Sequence, residues 1–315
     1  MTLPSARTFR AALVQLRSGR SVAPNMETAE ALIRRAAKDG AVYVQTPENT
    51  SIMELEIERL VSELETEEKS APLAQLQALA KELGIWLHVG SLGVKLDQGK
   101  VANRSYLIAP DGIVAARYDK LHMFDVDLAG GESYRESRTI KPGTKAVLAD
   151  LPWGRLGMSV CYDLRFPALY GALAAAGADL IAAPAAFTKQ TGEAHWRVLL
   201  RARAIETGAF VLAAAQGGPH ENGRSTYGHS MIVSPWGEVL AEAGEDPQVL
   251  LADIDPELSA ETRAKVPSLR HGREFEVEIA GEKVAPKERD HDPLRVSLRG
   301  GTWLRSLVRL GRVLR

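Results

Sequence analysis

Residues 157–171 read GMSVCYDLRFPALYG. The largely apolar run 156–160 ends at Cys161, the only cysteine in 315 residues. A polar step, Tyr162-Asp163-Leu164-Arg165, then leads to Pro167 and a stretch of helix formers. A short apolar run reads as a buried strand, and proline is well tolerated just inside a helix start. The stretch therefore predicts strand, turn and helix, the repeating joint of an α/β fold. Such a turn would lift the Cys161 side chain above the sheet edge, near helix N–H groups. Those groups lower a thiol pKa and are able to hold an oxyanion. A lone cysteine is commonly a small buried hydrophobe, so its surroundings must decide its role.

The same joint recurs on both sides. FRAALVQL (9–16) and AVYVQTPEN (41–49) read as strands around NMETAEALIRRAAKDG (25–40), a helix closed by Gly40. In the stretch 53–84, Pro72 separates two helices and Gly84 stops the second. IWLHVGSLGV (85–94) is strand-like, and Asp111-Gly112 in 104–120 is a strong hairpin signal. Beyond the cysteine, DLIAAPAAF (179–187) and AFVLAAAQ (209–216) read as strands around the helix EAHWRVLLRARAIETG (193–208). SPWGEVLAEAG (234–244) repeats the hairpin pattern. Alternating strands and helices with inserted hairpins predict an α/β fold, with a mixed sheet or two sheets covered by helices. No linker interrupts the first 275 residues, which read as one large domain.

Composition narrows the function. The chain is 45% hydrophobic and 25% charged with a formal net charge of −1, which argues against a general nucleic-acid-binding surface. No run of about 18 apolar residues appears, so no membrane span is expected. The N-terminal MTLPSARTFRAALVQL lacks an apolar segment with a small-residue cleavage site and reads as a cytoplasmic start. One cysteine cannot form an internal disulfide, which fits a reducing compartment.

A working thiol needs a base or a nearby cation. Three stretches offer one: Glu48 after Pro47 in VQTPENTS, Lys120 in ARYDKLHMFD, and Glu136 in SYRESRTIKPG. Each alone also reads as an ordinary solvated residue. Together, PEN, YDKLHMFD, YRES and GMSVCYDLRFP resemble, in order and spacing, the nitrilase superfamily of carbon–nitrogen hydrolases. The likeness covers about residues 8 to 275. The stretches AHWRVLLRARAIETGAFVLAAAQ and YGHSMIVSPWGEVLAEA are most similar to the branch that acts on deaminated glutathione. The omega-amidase branch shares much of this pattern.

The resemblance implies a four-layer α-β-β-α sandwich and a covalent amidase. Glu48 would be the general base, and Cys161 the nucleophile that forms a thioester. Lys120 and the backbone N–H of Tyr162 would face the oxyanion. Glu136 would hold the Lys120 ammonium or orient the substrate amide. The expected substrate is deaminated glutathione or the omega-amide of a dicarboxylic acid. Rival readings are a nitrilase and a binding protein that keeps the fold without turnover. An anionic substrate calls for an arginine fork or a helix N-terminus. Arg165 is a candidate, with Asp163 as an alternative structural partner for it. Phe187, Thr188 and His195 are further candidates for the pocket, and a core or capping role is the alternative for His195.

No cofactor or metal is expected, because paired histidine spacings, a second cysteine and glycine-rich phosphate loops are absent from the sequence. The resemblance also implies a homodimer or a larger even assembly. Residues 1–280 are expected to form the hydrolase domain and 281–315 a basic extension. After Asp292 that extension carries six arginines and no acid. It reads either as a basic amphipathic helix for an anionic surface or as a frayed or subunit-packed tail.

Overall fold

The computed structural model describes residues 8–128, 131–273, 278–279 and 282–283. The chain groups into two compact units, Met1–Leu269 and Arg270–Arg315. The first carries every element discussed below, and the basic stretch 284–315 lies outside the described residues.

The first half supplies β1 (Phe9–Gln15), α1 (Val22–Lys38), β2 (Tyr43–Gln45), α2 (Ile57–Glu63), α3 (Ala71–Leu83), β3 (Trp86–Lys95), β4 (Val101–Ile108) and β5 (Val114–Asp119). A small hairpin follows, β6 (Asp125–Asp127) with β7 (Ser133–Arg135). The second half supplies β8 (Val147–Leu151), β9 (Gly154–Met158), α4 (Pro167–Ala175), β10 (Leu180–Ala182), the single turn α5 (Lys189–Thr191), α6 (Arg197–Thr207) and β11 (Phe210–Ala213). Then come β12 (Gly217–Pro219), β13 (Ser225–Tyr227), β14 (Met231–Val233), β15 (Val239–Glu242), β16 (Gln248–Ile254) and α7 (Glu257–Lys265).

Two six-stranded sheets result, ordered β16-β1-β2-β3-β4-β5 and β15-β14-β11-β10-β9-β8. Parallel pairs occupy the middle of each sheet and antiparallel pairs the edges. The period of two along β1 explains the layering. Ala11 and Leu13 join a core shared with Leu156, Met158, Leu180 and Phe210 of the other sheet. Ala12 and Val14 face the opposite way, against Ile33 of α1 and Leu76 of α3. Helices α4 and α6 cover the second sheet through Leu169, Leu173, Leu200 and Ala204. The four-layer α-β-β-α sandwich expected from the sequence is the observed architecture.

A polar cluster is sealed between the sheets. The Tyr43 hydroxyl meets His88 Nδ1 at 2.9 Å, His88 Nε2 meets Ser105 Oγ at 2.9 Å, and Gln45 Nε2 reaches His88 Nδ1 at 3.1 Å. The Ala214 N–H donates to Gln45 Oε1 at 2.9 Å, tying one sheet to the other. Burial pushes His88 down to about 3, so it stays neutral. Among the described residues no helix is long and apolar enough to cross a membrane.

Candidate active site

Four segments bring the predicted side chains together at the ends of these strands. Glu48 lies three residues past β2, in a loop pressed close to β3. A Cβ at Gly90 would stand 2.2 Å from the Thr46 carbonyl oxygen, so only glycine allows that approach. Gln216, at the end of AAAQ, donates from Nε2 to the carbonyls of Glu48 and Asn49 at 3.0 and 3.1 Å. Lys120 follows β5, and its main chain is held by the Asn103 carbonyl and the Gly143 N–H. Glu136 opens a 3-10 turn after β7 and accepts from the Phe124 N–H at 2.7 Å.

Cys161 sits three residues past β9. It begins a 3-10 turn, Cys161–Arg165, and α4 starts only at Pro167. Its φ is 51°, a left-handed conformation that costs an L-residue about 1–2 kcal/mol. Buried Asp163 holds that turn. Its carboxylate accepts from the Val160 N–H at 2.9 Å, the Tyr118 hydroxyl at 2.7 Å and the His122 N–H at 3.0 Å. Hydrogen bonds to a charged group contribute about 1.5–3 kcal/mol each, so the clamp outweighs the strain. Arg203 of α6 adds a bond from Nε to the Leu164 carbonyl at 2.9 Å. As the second residue of the turn, Tyr162 has an N–H ahead of the first intrahelical acceptor.

The charged groups meet on the cleft floor. Lys120 Nζ donates to Glu48 Oε1 at 2.9 Å and to both Glu136 oxygens at 2.9 Å. Asn103 Nδ2 bridges the same two carboxylates at 2.9 and 3.3 Å. Glu48 Oε2 accepts from the Ala186 N–H at 3.0 Å, and the Cys161 thiol also hydrogen-bonds to Glu48. Glu48, Lys120 and Cys161 are 3%, 2% and 6% exposed, so these interactions run with little screening by water.

The protonation states follow. Burial alone would raise Glu48, but the Lys120 charge and the thiol hydrogen bond hold it below its ordinary value. Burial would lower Lys120, and the charges of Glu136 and Glu48 keep it well above its ordinary value. The thiol runs opposite to the sequence expectation. Burial and the Glu48 charge push it well up, against the downward pull of Lys120 and the Ala186 N–H. At neutral pH the cluster therefore holds a carboxylate, an ammonium and a neutral thiol.

A cleft of about 510 Å³ opens above them, lined by Glu48, Asn103, Lys120, Glu136, Cys161 and Tyr162 among others. Arg165 and Phe187 also line it, with the Arg165 guanidinium 5.1 Å from the Phe187 ring centroid. Asp163 does not pair with Arg165, because the turn clamp consumes its carboxylate. Arg165 instead meets His195 Nδ1 at 3.2 Å. His195 is exposed and outside the lining. Thr188 is also outside it, as its hydroxyl caps α5 by accepting from the Thr191 N–H at 3.3 Å.

Sequence reasoning missed Asn103, Gln216 and Arg224. A polar asparagine inside a β-branched and aromatic strand segment was the available signal for Asn103. Among the described residues, no group of three or more His, Cys, Asp or Glu gathers as a metal cluster.

The Carbon-nitrogen hydrolase family profile matches residues 10–264. The chain belongs to that family. Deaminated glutathione amidase from Synechocystis is 42% identical over 269 residues, 84% of this chain and 98% of that protein. Omega-amidase NIT2 from Bos taurus is 35% identical over 282 residues, covering 88% and 99%. The crystal structure of the C. elegans NitFhit protein superposes with a TM-score of 0.80 at 36% identity, covering 87% of this chain and 66% of that one. The carbon–nitrogen hydrolase is thus an enzyme acting on non-peptide C–N bonds, with the sandwich of its relatives.

Proposed function

We propose that the enzyme hydrolyses a small linear amide, deaminated glutathione or the omega-amide of a dicarboxylic acid, with Glu48, Lys120 and Cys161 as the reacting set. One observation carries the proposal: a single buried carboxylate, Glu48, touches both the Lys120 ammonium and the Cys161 thiol beneath an open cleft. The relatives named for deaminated glutathione and omega-amides supply the substrate class.

The charges fit a base-assisted attack. Glu48 takes the thiol proton as sulfur bonds to the amide carbon, so no free thiolate need be stored. The oxyanion forms against the Lys120 ammonium and the Tyr162 N–H. Losing one such donor typically raises the barrier by about 2.7–4 kcal/mol. Protonated Glu48 then gives its proton to the leaving nitrogen, and the C–N bond breaks to leave a thioester. Glu48 next deprotonates water, which attacks the thioester, and the returning proton restores the thiol. Glu136 keeps Lys120 charged and in place through two 2.9 Å contacts.

The test is a panel of succinamate, alpha-ketoglutaramate, deaminated glutathione and a simple nitrile, read as ammonia, amine or acid release, with wild type and Cys161→Ala. Turnover of amides that disappears in Cys161→Ala is expected. Equal rates in the two proteins would remove the thiol from the mechanism. Preference for deaminated glutathione over the omega-amides distinguishes the two amidase branches. We further propose that residues 1–280 form the hydrolase domain, that 281–315 are a basic extension, and that the enzyme works in the cytoplasm as a homodimer or larger even oligomer.

A further inference from the structure

Arg224 is a guanidinium in the cleft without a carboxylate. It lines the cavity beside Tyr134, whose ring centroid lies 5.2 Å from its Cζ, and one terminal nitrogen donates to the Ala186 carbonyl. Its Nε is buried and has no hydrogen-bond partner. Arg135, which also lines the cleft, is by contrast neutralised by Asp127. A planar fork with an unused donor suits a planar carboxylate, which it is able to meet with two parallel N–H bonds. Arg165 differs: it meets His195 and stacks against Phe187 and Tyr162.

The position relative to the thiol is fixed by one residue. Ala186 offers its N–H to Glu48 and the Cys161 sulfur, and its carbonyl to Arg224. One residue of backbone spans about 3.5 Å. With a hydrogen bond of about 3 Å at each end, sulfur and guanidinium lie within about 10 Å of each other. A carbonyl carbon about 3–3.5 Å from sulfur and a carboxylate about 3 Å from the guanidinium leave at most about 4 Å between them. That limit suits a short chain such as the monoamide of a four-carbon dicarboxylic acid.

We propose that Arg224 is the receptor for the distal carboxylate of the substrate and sets the preference for short anionic omega-amides over neutral amides. This rests on the amidase reading above and adds the residue that selects the substrate. The guanidinium would anchor the end of the molecule that does not react, and so place the amide carbon against Cys161.

The test compares succinamate with butyramide, which carries a methyl group where succinamate carries its carboxylate. In wild type, kcat/KM should favour succinamate. Arg224→Gln should lower the succinamate-to-butyramide ratio by about 30- to 100-fold, and Arg224→Lys by about 10-fold. Arg165→Gln should change it less than about 3-fold. Equal losses on both amides in Arg224→Gln would mean a structural role and overturn the proposal, as would loss of the ratio in Arg165→Gln alone. Succinate binding by calorimetry gives a readout without turnover. A dissociation constant weaker by about 10-fold or more in Arg224→Gln supports the receptor even if amide hydrolysis fails, and an unchanged constant overturns it.

Discussion

The polar cluster between the sheets and the polar cluster under the cleft are built from similar means and end in opposite states. Around His88 every group has a partner, and burial keeps the imidazole neutral. Around Lys120, the Glu48 carboxylate and the ammonium stay charged while almost as deeply buried, and two neighbours keep unused valences, Asn103 Oδ1 and Arg224 Nε. A network that only joins two sheets is most stable when neutral and closed. A network that is to move a proton keeps its charge, and here it also keeps a buried donor and a buried acceptor without partners.

Substitution should separate the two clusters most strongly in turnover. Glu48→Gln removes the proposed base and is expected to lower kcat/KM by about 10²- to 10⁴-fold. His88→Gln should leave it within about threefold. Amine or ammonia release at saturating and limiting substrate reads both. Comparable losses in the two variants would erase the distinction.

Stability should break next. Lys120→Met strands Glu48 and Glu136 without their cation, and removal of one partner from a buried ion pair costs about 3–5 kcal/mol. Urea unfolding at neutral pH measures it. A loss below about 1 kcal/mol would mean that water reaches the site and screens the carboxylates.

The pH axis sharpens the contrast. His88 has its value lowered from 6.5 to about 3 on folding, so the unfolded chain binds the proton first. Its contribution to stability is complete above pH 6.5 and declines as pH falls toward 3, at about 1.4 kcal/mol per unit. His88→Gln should flatten the unfolding free energy by about 2 kcal/mol between pH 6.5 and about 5. Glu48, held below its ordinary 4.5, gives up its contribution only as pH falls through that lower range. Lys120 gives up its own only as pH rises beyond its raised value, above 10.5. Activity should accordingly be level between about pH 6 and 8, without a thiol limb.

The smallest effect concerns the turn. Cys161→Gly and Cys161→Ala should both lack turnover, yet the glycine variant should be more stable by about 1 kcal/mol, because φ of 51° strains only the side chain with a Cβ. Equal thermal midpoints would mean that the turn relaxes once the sulfur is gone.

Much of this was legible in the sequence, for definable reasons. The strand-turn-helix at Cys161 and the hairpin at Asp111-Gly112 are local events, and apolar runs and glycine mark them. The meeting of Glu48, Lys120, Glu136 and Cys161 came from motif likeness, because no local rule joins residues so far apart in the chain. The thiol pKa was misread because helix N–H groups are visible in a sequence and burial is not. Thr188 was a candidate because it follows a strand end and His195 because it begins a helix, whereas the Thr188 hydroxyl caps the turn after it and exposed His195 meets Arg165. Asn103 and Arg224 escaped because each sits in a segment whose pattern reads simply as strand or polar loop.

Ala186 is fully buried and lines the cleft. Its main chain carries the contacts to Glu48 and to Arg224 on two adjacent peptide units, the N–H on one and the carbonyl on the other. Any shift of the backbone at 186 would move both contacts together, whatever side chain the position carries. At this position a side chain larger than alanine would crowd the core or the cleft wall, and proline would in addition remove the donor to Glu48.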